Sequence, residues 1–310
     1  MNTQSKISTG SDIGFVIAVF NGEATIERAI ESIVRQKNSN WELVVVDDGS
    51  TDGTSDIVRK YQEQNSRIRL VQQENQGLAA ARNNGFGMLT SNWTAYLDAD
   101  DELVETHCEH MMQIVNKYPG HMLYGCNVLY RYPEEEFIAH ANDEIAEITL
   151  ADWSKGAGVA LCGALISSEF YREIGGYQSF GKYGEDLNML LCVLLDGSVI
   201  VSPEPLYIYY KGVDGQQTLH RSDNLKSCLR VIDHVRRTRN LSPLQRRTLA
   251  KLQLVYRRDI TILFVVKVFK FIPDAPAHMW HLLTKAVTTS PAYRKFLDRV
   301  KRSRLYKRKK

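Results

Sequence analysis

The 310-residue chain lacks the marks of an extracellular or membrane-embedded protein. Its five cysteines (Cys108, Cys126, Cys162, Cys192 and Cys228) are scattered and none forms a C-x-x-C pair. That argues against a disulfide framework or a structural zinc site and for a reducing compartment. No apolar run approaches the roughly 20 residues that span a bilayer; the best, 260–266, is closed off by Arg258 and Lys267. Residues 1–12 are polar, so no signal-peptide core is expected there and the segment reads as a flexible leader. Internal repeats are missing. Proline is sparse, and half of the eight prolines sit at the two clearest breaks, 202–205 and 272–276.

Glutamate is missing from residues 221–310, which hold 24 Lys and Arg against five Asp, a balance of +19. The first 220 residues carry 15 basic and 31 acidic residues, a balance of −16, so the net charge of +3 hides an acidic body and a basic C-terminal third. Such asymmetry hints at an anionic partner, either nucleic acid or a membrane surface. The remaining composition, 44% hydrophobic and 24% charged, is that of an ordinary globular protein of one large domain or two smaller ones.

Short continuous apolar runs at 14–20 (GFVIAVF), 42–46 (ELVVV), 68–72 and 93–97 (WTAYL) predict buried strands. Between them, apolar residues at helical spacing predict helices over 23–36 and 55–65, and a segment rich in alanine predicts a third over 78–89. Strand and helix alternating in this way predict βαβ units and a mostly parallel sheet with helices on both faces. Further strands are expected at 123–130, 159–166, 199–201 and 206–210, with a buried helix over 187–195. The last third reads as helices over 224–238, 243–270 and 279–287.

Ligands of such sheets bind beyond the carboxyl ends of the strands, and two of those ends are acidic. The first is Asp47-Asp48-Gly49-Ser50-Thr51-Asp52-Gly53-Thr54. It reads either as a capped strand-to-helix turn or as carboxylates that accept hydrogen bonds from a ribose or a base. The second is Asp98-Ala99-Asp100-Asp101-Glu102. It is either a solvated acidic turn before a helix starting near Leu103, or a pair, Asp98 and Asp100, facing one oxygen-liganded Mg²⁺ or Mn²⁺ completed by nucleotide phosphate. Gly184-Glu185-Asp186 precedes the 187–195 helix, where acids favour the helix dipole or supply a general base. In Asn75-Gln76-Gly77-Leu78-Ala79-Ala80-Ala81-Arg82-Asn83, small residues permit close packing, and Arg82 either reaches a nucleotide or pairs with the acidic cluster.

Taken in order and spacing, these stretches resemble a family 2 glycosyltransferase with the GT-A (nucleotide-diphospho-sugar transferase) fold. The resemblance covers residues 13–210 and includes Ile174-Gly175-Gly176-Tyr177. It implies an inverting transfer. Asp48 would contact the base with Phe20 and Asn21 nearby, and Arg82 would line the nucleotide pocket. Asp98 and Asp100 would hold the metal and the diphosphate as a DxD motif. Asp186 would be the catalytic base with Glu185 beside it, and Gly175-Gly176-Tyr177 would shape the acceptor side. Two departures stand out. Ala18-Val19-Phe20-Asn21 replaces the family's P-x-Y-N, which keeps a stacking ring and loses its hydroxyl. Residues 211–220 replace a His-Pro-Gly-Ser-like loop, with His220 a further metal ligand or phosphate contact.

The expectation is therefore a hexosyltransferase-type enzyme of the cytoplasm, using Mn²⁺ or Mg²⁺. It would move a sugar from a nucleotide donor, UDP-linked in most of the family, to a hydroxyl of a glycan or lipid-linked acceptor. The organisation expected is a leader (1–12), a catalytic domain (13–220) and a basic helical region (221–310). Residues 255–272, apolar and basic together, suit a helix lying in the interface of an anionic membrane, or one packed on the catalytic domain. A nucleotidyltransferase is the enzyme alternative, but Asn21-Gly22-Glu23-Ala24 lacks the basic Gly-rich loop such enzymes carry. Nucleic-acid binding through the basic third is the other alternative, disfavoured by the acidic body and the lack of a recognisable motif.

Overall fold

The structure, a computed structural model, describes residues 12–38, 40–132, 136–139, 143–181, 183–211 and 221–270. The chain divides into two compact units, Met1–Ser179 with Met189–Val213, and Phe180–Asn188 with Asp214–Lys310.

The first unit is built from β1 (Ile13–Val19), α1 (Ile26–Val34), β2 (Trp41–Asp47), α2 (Thr54–Gln64), β3 (Ile68–Gln72), α3 (Leu78–Gly87) and β4 (Trp93–Tyr96). These match the predicted elements to within a few residues at their ends. After them come β5 (Glu102–Leu103), α4 (His107–Lys117), β6 (Leu123–Arg131), β7 (Glu136–Ala139), β8 (Ala146–Ile148), α5 (Leu150–Ser154), β9 (Leu165–Ser167), α6 (Ser168–Glu173), α7 (Glu185–Asp196), whose residues up to Asn188 count with the second unit, and β10 (Val199–Tyr210). One sheet runs in the order β3-β2-β1-β4-β9-β6-β10-β5, with β7 on β6 and β8 on β10. Its long neighbours, β3-β2-β1-β4 and β6-β10, are parallel. The antiparallel pairs all involve the short strands β5, β7, β8 and β9.

Both faces of this sheet are covered, which is why its strands read as unbroken apolar runs. Phe15, Ile17, Leu43 and Val45 share one core with Ile26, Ile30 and Ile33 of α1 and Met111 of α4. Val16 and Val46, on the opposite face by strand alternation, meet α3. A Cβ on Gly85 would lie 2.6 Å from Val16 Cγ1 and 2.9 Å from Val46 Cγ2, so only glycine lets this helix come so close.

Three expectations need correction. The break expected at 202–205 is a bulged stretch inside one strand, β10, whose register against β6 shifts between Val201 and Pro205 and again before Tyr207. Pro203 and Pro205 have no N–H for the ladder, and side chains take over: Asn127 Nδ2 donates to the Pro203 carbonyl at 2.6 Å, and Ser202 Oγ pairs with His110 Nε2 at 2.8 Å. The strand expected over 159–166 shrinks to β9, because Gly163 sits at φ +68, outside the extended region. The helix expected near Leu103 begins at His107, because Leu103 pairs with Tyr207 in β5.

In the second unit, α8 (Arg221–Thr238) and α9 (Pro243–Lys270) are helical as expected. Val231, Ile232, Val235, Leu241 and Leu249 are buried. The predicted helix over 279–287 lies outside the described residues.

Candidate active site

The chain visits β1, β2 and β3 in sequence outward, then returns to place β4 on the other flank of β1. This is the topological switch point at which open α/β sheets bind ligands. The carboxyl ends of β1, β2 and β4 carry Phe20-Asn21, Asp47-Asp48 and Asp98 respectively, so the fold assembles three of the predicted motifs.

Phe20 is 53% exposed, an apolar ring held at the strand end. Asn21 follows in the left-handed region, at φ 54. The loop from Asn21 to Glu23 and the loop from Ser50 to Thr54 bind each other reciprocally. Asn21 N–H donates to Ser50 Oγ at 2.8 Å, Gly22 N–H to Thr54 Oγ1 at 2.9 Å and Glu23 N–H to Asp52 Oδ2 at 3.1 Å. In return, Thr51 N–H donates to Asn21 Oδ1 at 2.8 Å and Gly53 N–H to Glu23 Oε2 at 2.9 Å.

The two aspartates of the first cluster have different partners. Asp47 is buried and accepts from Ser50 N–H at 2.8 Å and from the Ser55 hydroxyl, so it shapes the turn into α2. Asp48, also buried, reaches across to the β3–α3 loop. It accepts from Gln73 Nε2 at 2.7 Å, Gln76 N–H at 2.8 Å and Gly77 N–H at 2.8 Å. Three of a carboxylate's four or so acceptor positions are thereby filled.

Arg82, buried on α3, donates to Asp98 Oδ1 at 2.9 Å. Its guanidinium lies 5.5 Å from the Tyr96 ring and 5.2 Å from the Tyr177 ring. The neighbouring Asn83 explains how Tyr177 arrives there. Asn83 Nδ2 donates to the Tyr177 carbonyl at 2.8 Å, while Asn83 Oδ1 accepts from Tyr177 N–H at 2.8 Å and from Tyr171 OH at 2.5 Å. Gly175-Gly176-Tyr177 is thus anchored to α3.

At the β4 end, Asp101 is fully buried and accepts from Tyr207 OH at 2.6 Å and Tyr210 N–H at 2.9 Å. Burial, with the Asp98 charge next in weight, pushes its carboxyl up to about 8. Asp101 therefore ties the acidic turn to β10. Asp98 and Asp100 are only partly buried. Among the described residues no three His, Cys, Asp or Glu side chains come together as a metal cage. Carboxylate oxygens such as those of Asp98 and Asp100 are the donor type that Mg²⁺ and Mn²⁺ take together with substrate phosphates and water. His220 lies outside the described residues.

Glu185 and Asp186 form the first turn of α7 in the second unit. The turn before them packs tightly on α8, where a Cβ on Gly184 would lie 2.9 Å from Val231 Cγ2. Motif reading missed Tyr96, Tyr207, Tyr210 and Lys211. Lys211 follows β10, half-buried, with Nζ 4.4 Å from the Tyr209 ring; burial lowers its pKa while Asp101 and Asp100 oppose that. For Tyr207 and Tyr210 the sequence signal was the dense aromatic run Leu206-Tyr207-Ile208-Tyr209-Tyr210.

Residues 15–175 match Glycosyl transferase family 2. The chain belongs to this family. Curated relatives include glycosyltransferase GlyA of Streptococcus pneumoniae serotype 4, 29% identical over 212 residues, covering 64% of this chain and 30% of that protein. Putative glycosyltransferase EpsE of Bacillus subtilis is 33% identical over 196 residues, covering 62% of this chain and 69% of that one. This chain thus aligns with less than a third of GlyA's length. Among solved structures, S. aureus TarS 1–349 in complex with UDP-GlcNAc superposes with a TM-score of 0.68 at 16% identity, covering 89% of this chain and 79% of that one. Mannosyltransferase PcManGT from Pyrobaculum calidifontis, in complex with GDP-Man and Mn²⁺, gives 0.64 at 17% identity, covering 93% and 84%. These likenesses show the fold expected from the sequence, the GT-A fold of a family 2 domain.

Proposed function

We propose that the chain is an inverting, metal-dependent glycosyltransferase that takes a nucleotide-sugar donor, UDP-linked, and transfers the sugar to a hydroxyl of a glycan or lipid-linked acceptor. The observation carrying this is the meeting of Phe20-Asn21, the Asp48-bound loop and the Arg82–Asp98 pair at the switch point of a family 2 domain. Two fold neighbours hold nucleotide sugars, which supports the donor class.

In this reading Phe20 offers a stacking face to the nucleoside, and Asp48 presents its remaining acceptor position beside the loop it orders. Arg82 holds Asp98 in place and keeps positive charge beside the diphosphate. Asp98 and Asp100 would hold a divalent cation, which when bound supplies Lewis-acid compensation for the departing diphosphate. Asp186 takes the proton from the acceptor hydroxyl. As it does so, the acceptor oxygen bonds to the anomeric carbon and the bond from that carbon to the diphosphate breaks. A donor panel with candidate acceptors and Mn²⁺ tests the reading by nucleotide diphosphate release. Release from a UDP-sugar is expected. Pyrophosphate release from a nucleoside triphosphate and a sugar phosphate, with no transfer, would make the chain a nucleotidyltransferase instead.

A second observation bears on location. Among the described residues no helix is long and apolar enough to cross a membrane. Along α9, Leu244, Arg247, Lys251, Leu254 and Arg258 recur at helical spacing and are all exposed, the leucines by 70% and 67%. A polyanion would reward only the basic residues of this stripe, whereas an anionic lipid surface rewards the leucines too. The full chain should float with phosphatidylglycerol vesicles and not with phosphatidylcholine. Leu244→Ser with Leu254→Ser should weaken binding at least about tenfold; equal flotation of that variant would refute attachment through this face.

A further inference from the structure

Arg28 and Ser32 on one face of α1, and Gln36 just past its C-terminal end, form a polar row four residues apart. It grips the main chain from the acidic turn to the first residues of α4. Arg28 Nη2 donates to the Asp100 carbonyl. Ser32 Oγ accepts from Leu103 N–H at 3.1 Å. Gln36 Nε2 donates to the Val104 carbonyl at 2.9 Å, and its Oε1 accepts from Cys108 N–H at 2.9 Å. None of these residues belongs to a motif read from the sequence.

Arg28 differs from the other two because it brings charge. Its Nε faces Glu102 Oε1 at 3.5 Å, and its guanidinium lies 3.7 Å from the Tyr210 ring centroid. Tyr210 OH in turn donates to Glu102 Oε1 at 2.9 Å and accepts from Arg131 Nη1 at 2.7 Å. The guanidinium is thus held by a ring face and a carboxylate, with a hydrogen bond aimed at the peptide of Asp100. A planar, permanently charged group makes such a fixed fork, which a lysine ammonium reproduces poorly.

We infer that Arg28 is a positioning residue for the donor site, setting the backbone of Asp100 so that Asp98 and Asp100 face one cation–diphosphate pair. The inference rests on the proposed role of those two aspartates. It adds that their geometry is set from α1, whose leading loop is bound to the Asp47–Thr54 turn. Groups that orient metal ligands from behind are worth about 10–100-fold in metal affinity.

The test is Mn²⁺ binding in the presence of UDP, followed by the electron paramagnetic resonance signal of free Mn²⁺, together with thermal unfolding. Arg28→Met should weaken Mn²⁺·UDP binding about tenfold or more, and Arg28→Lys should restore only part of it. Ser32→Ala removes another grip of the same row away from the acidic turn; it should lower Tm and leave Mn²⁺ affinity unchanged. Unchanged affinity in Arg28→Met, or equal weakening in Ser32→Ala, would overturn the inference while leaving the donor site standing. Failure of the unmodified chain to bind Mn²⁺ with UDP would instead remove the proposed metal role, and the positioning role with it.

Discussion

Asp47 and Asp48 stand side by side in the chain and do different work: one closes its own turn, the other orders a loop 25 to 29 residues away. That division is invisible in a one-dimensional pair of acids, because strand alternation and the course of β3 decide which carboxylate faces which loop. Buried histidine follows the same logic. His107 opens α4, fully buried, with Nε2 2.6 Å from the Gly163 carbonyl. Burial lowers its pKa from 6.5 to about 4. Above about pH 6.5 the ring is neutral in both folded and unfolded chains, and its contribution is whole. Below that, the unfolded chain takes a proton that the folded chain refuses, so stability falls until the pH reaches the folded value. Between pH 7 and pH 5 this group should cost about 2 kcal/mol. Denaturant unfolding at the two pH values should show that loss in the unmodified chain, and a correspondingly shallower dependence in His107→Gln. Equal pH dependence in both would contradict it.

Among the elements, the first four strands and three helices were legible because each strand is an apolar run, α1 and α2 each show one apolar face, and the segment of α3 is rich in alanine. The later elements were less so. In β10 the prolines that signal a break mark a bulge that Asn127 and Ser202 repair, a tertiary compensation that no local pattern displays. The close seating of α3 was legible in its small residues, and it makes a sharp prediction. Gly85→Ala gains about 1 kcal/mol of helix propensity but drives a methyl to within 2.6 Å of Val16. Net destabilisation of about 1–2 kcal/mol is expected from the denaturation midpoint. A rise in stability would mean that α3 sits farther from the sheet. The polar row of Arg28 and Ser32 on α1 and Gln36 beyond its end went unread because these residues look, in sequence, like the solvated side of an amphipathic helix.

On the scale of the whole molecule, the near-neutral charge is a sum of unlike parts. The acidic clusters sit at strand ends of the first unit, and the basic residues crowd the C-terminal region that holds α8 and α9. Glu185 and Asp186 belong to the second unit, whereas the residues proposed to hold the donor belong to the first. Asp186→Asn should therefore leave nucleotide binding close to normal while transfer falls by roughly 10²–10⁴-fold, the scale of a lost general base. Near-normal turnover of that variant would remove Asp186 from the mechanism. The family was legible from motif order alone; donor and acceptor identity were not, since no motif in the chain names a sugar.

The central claim is that Asp98 and Asp100 handle the donor diphosphate through a divalent cation. Its most direct test is transfer from the donor found in the panel, measured as nucleotide diphosphate release with Mn²⁺, with excess EDTA, and in Asp100→Ala. Transfer should require Mn²⁺, stop in EDTA, return when Mn²⁺ is restored, and be abolished in Asp100→Ala. Undiminished transfer in excess EDTA, or in Asp100→Ala, would contradict it.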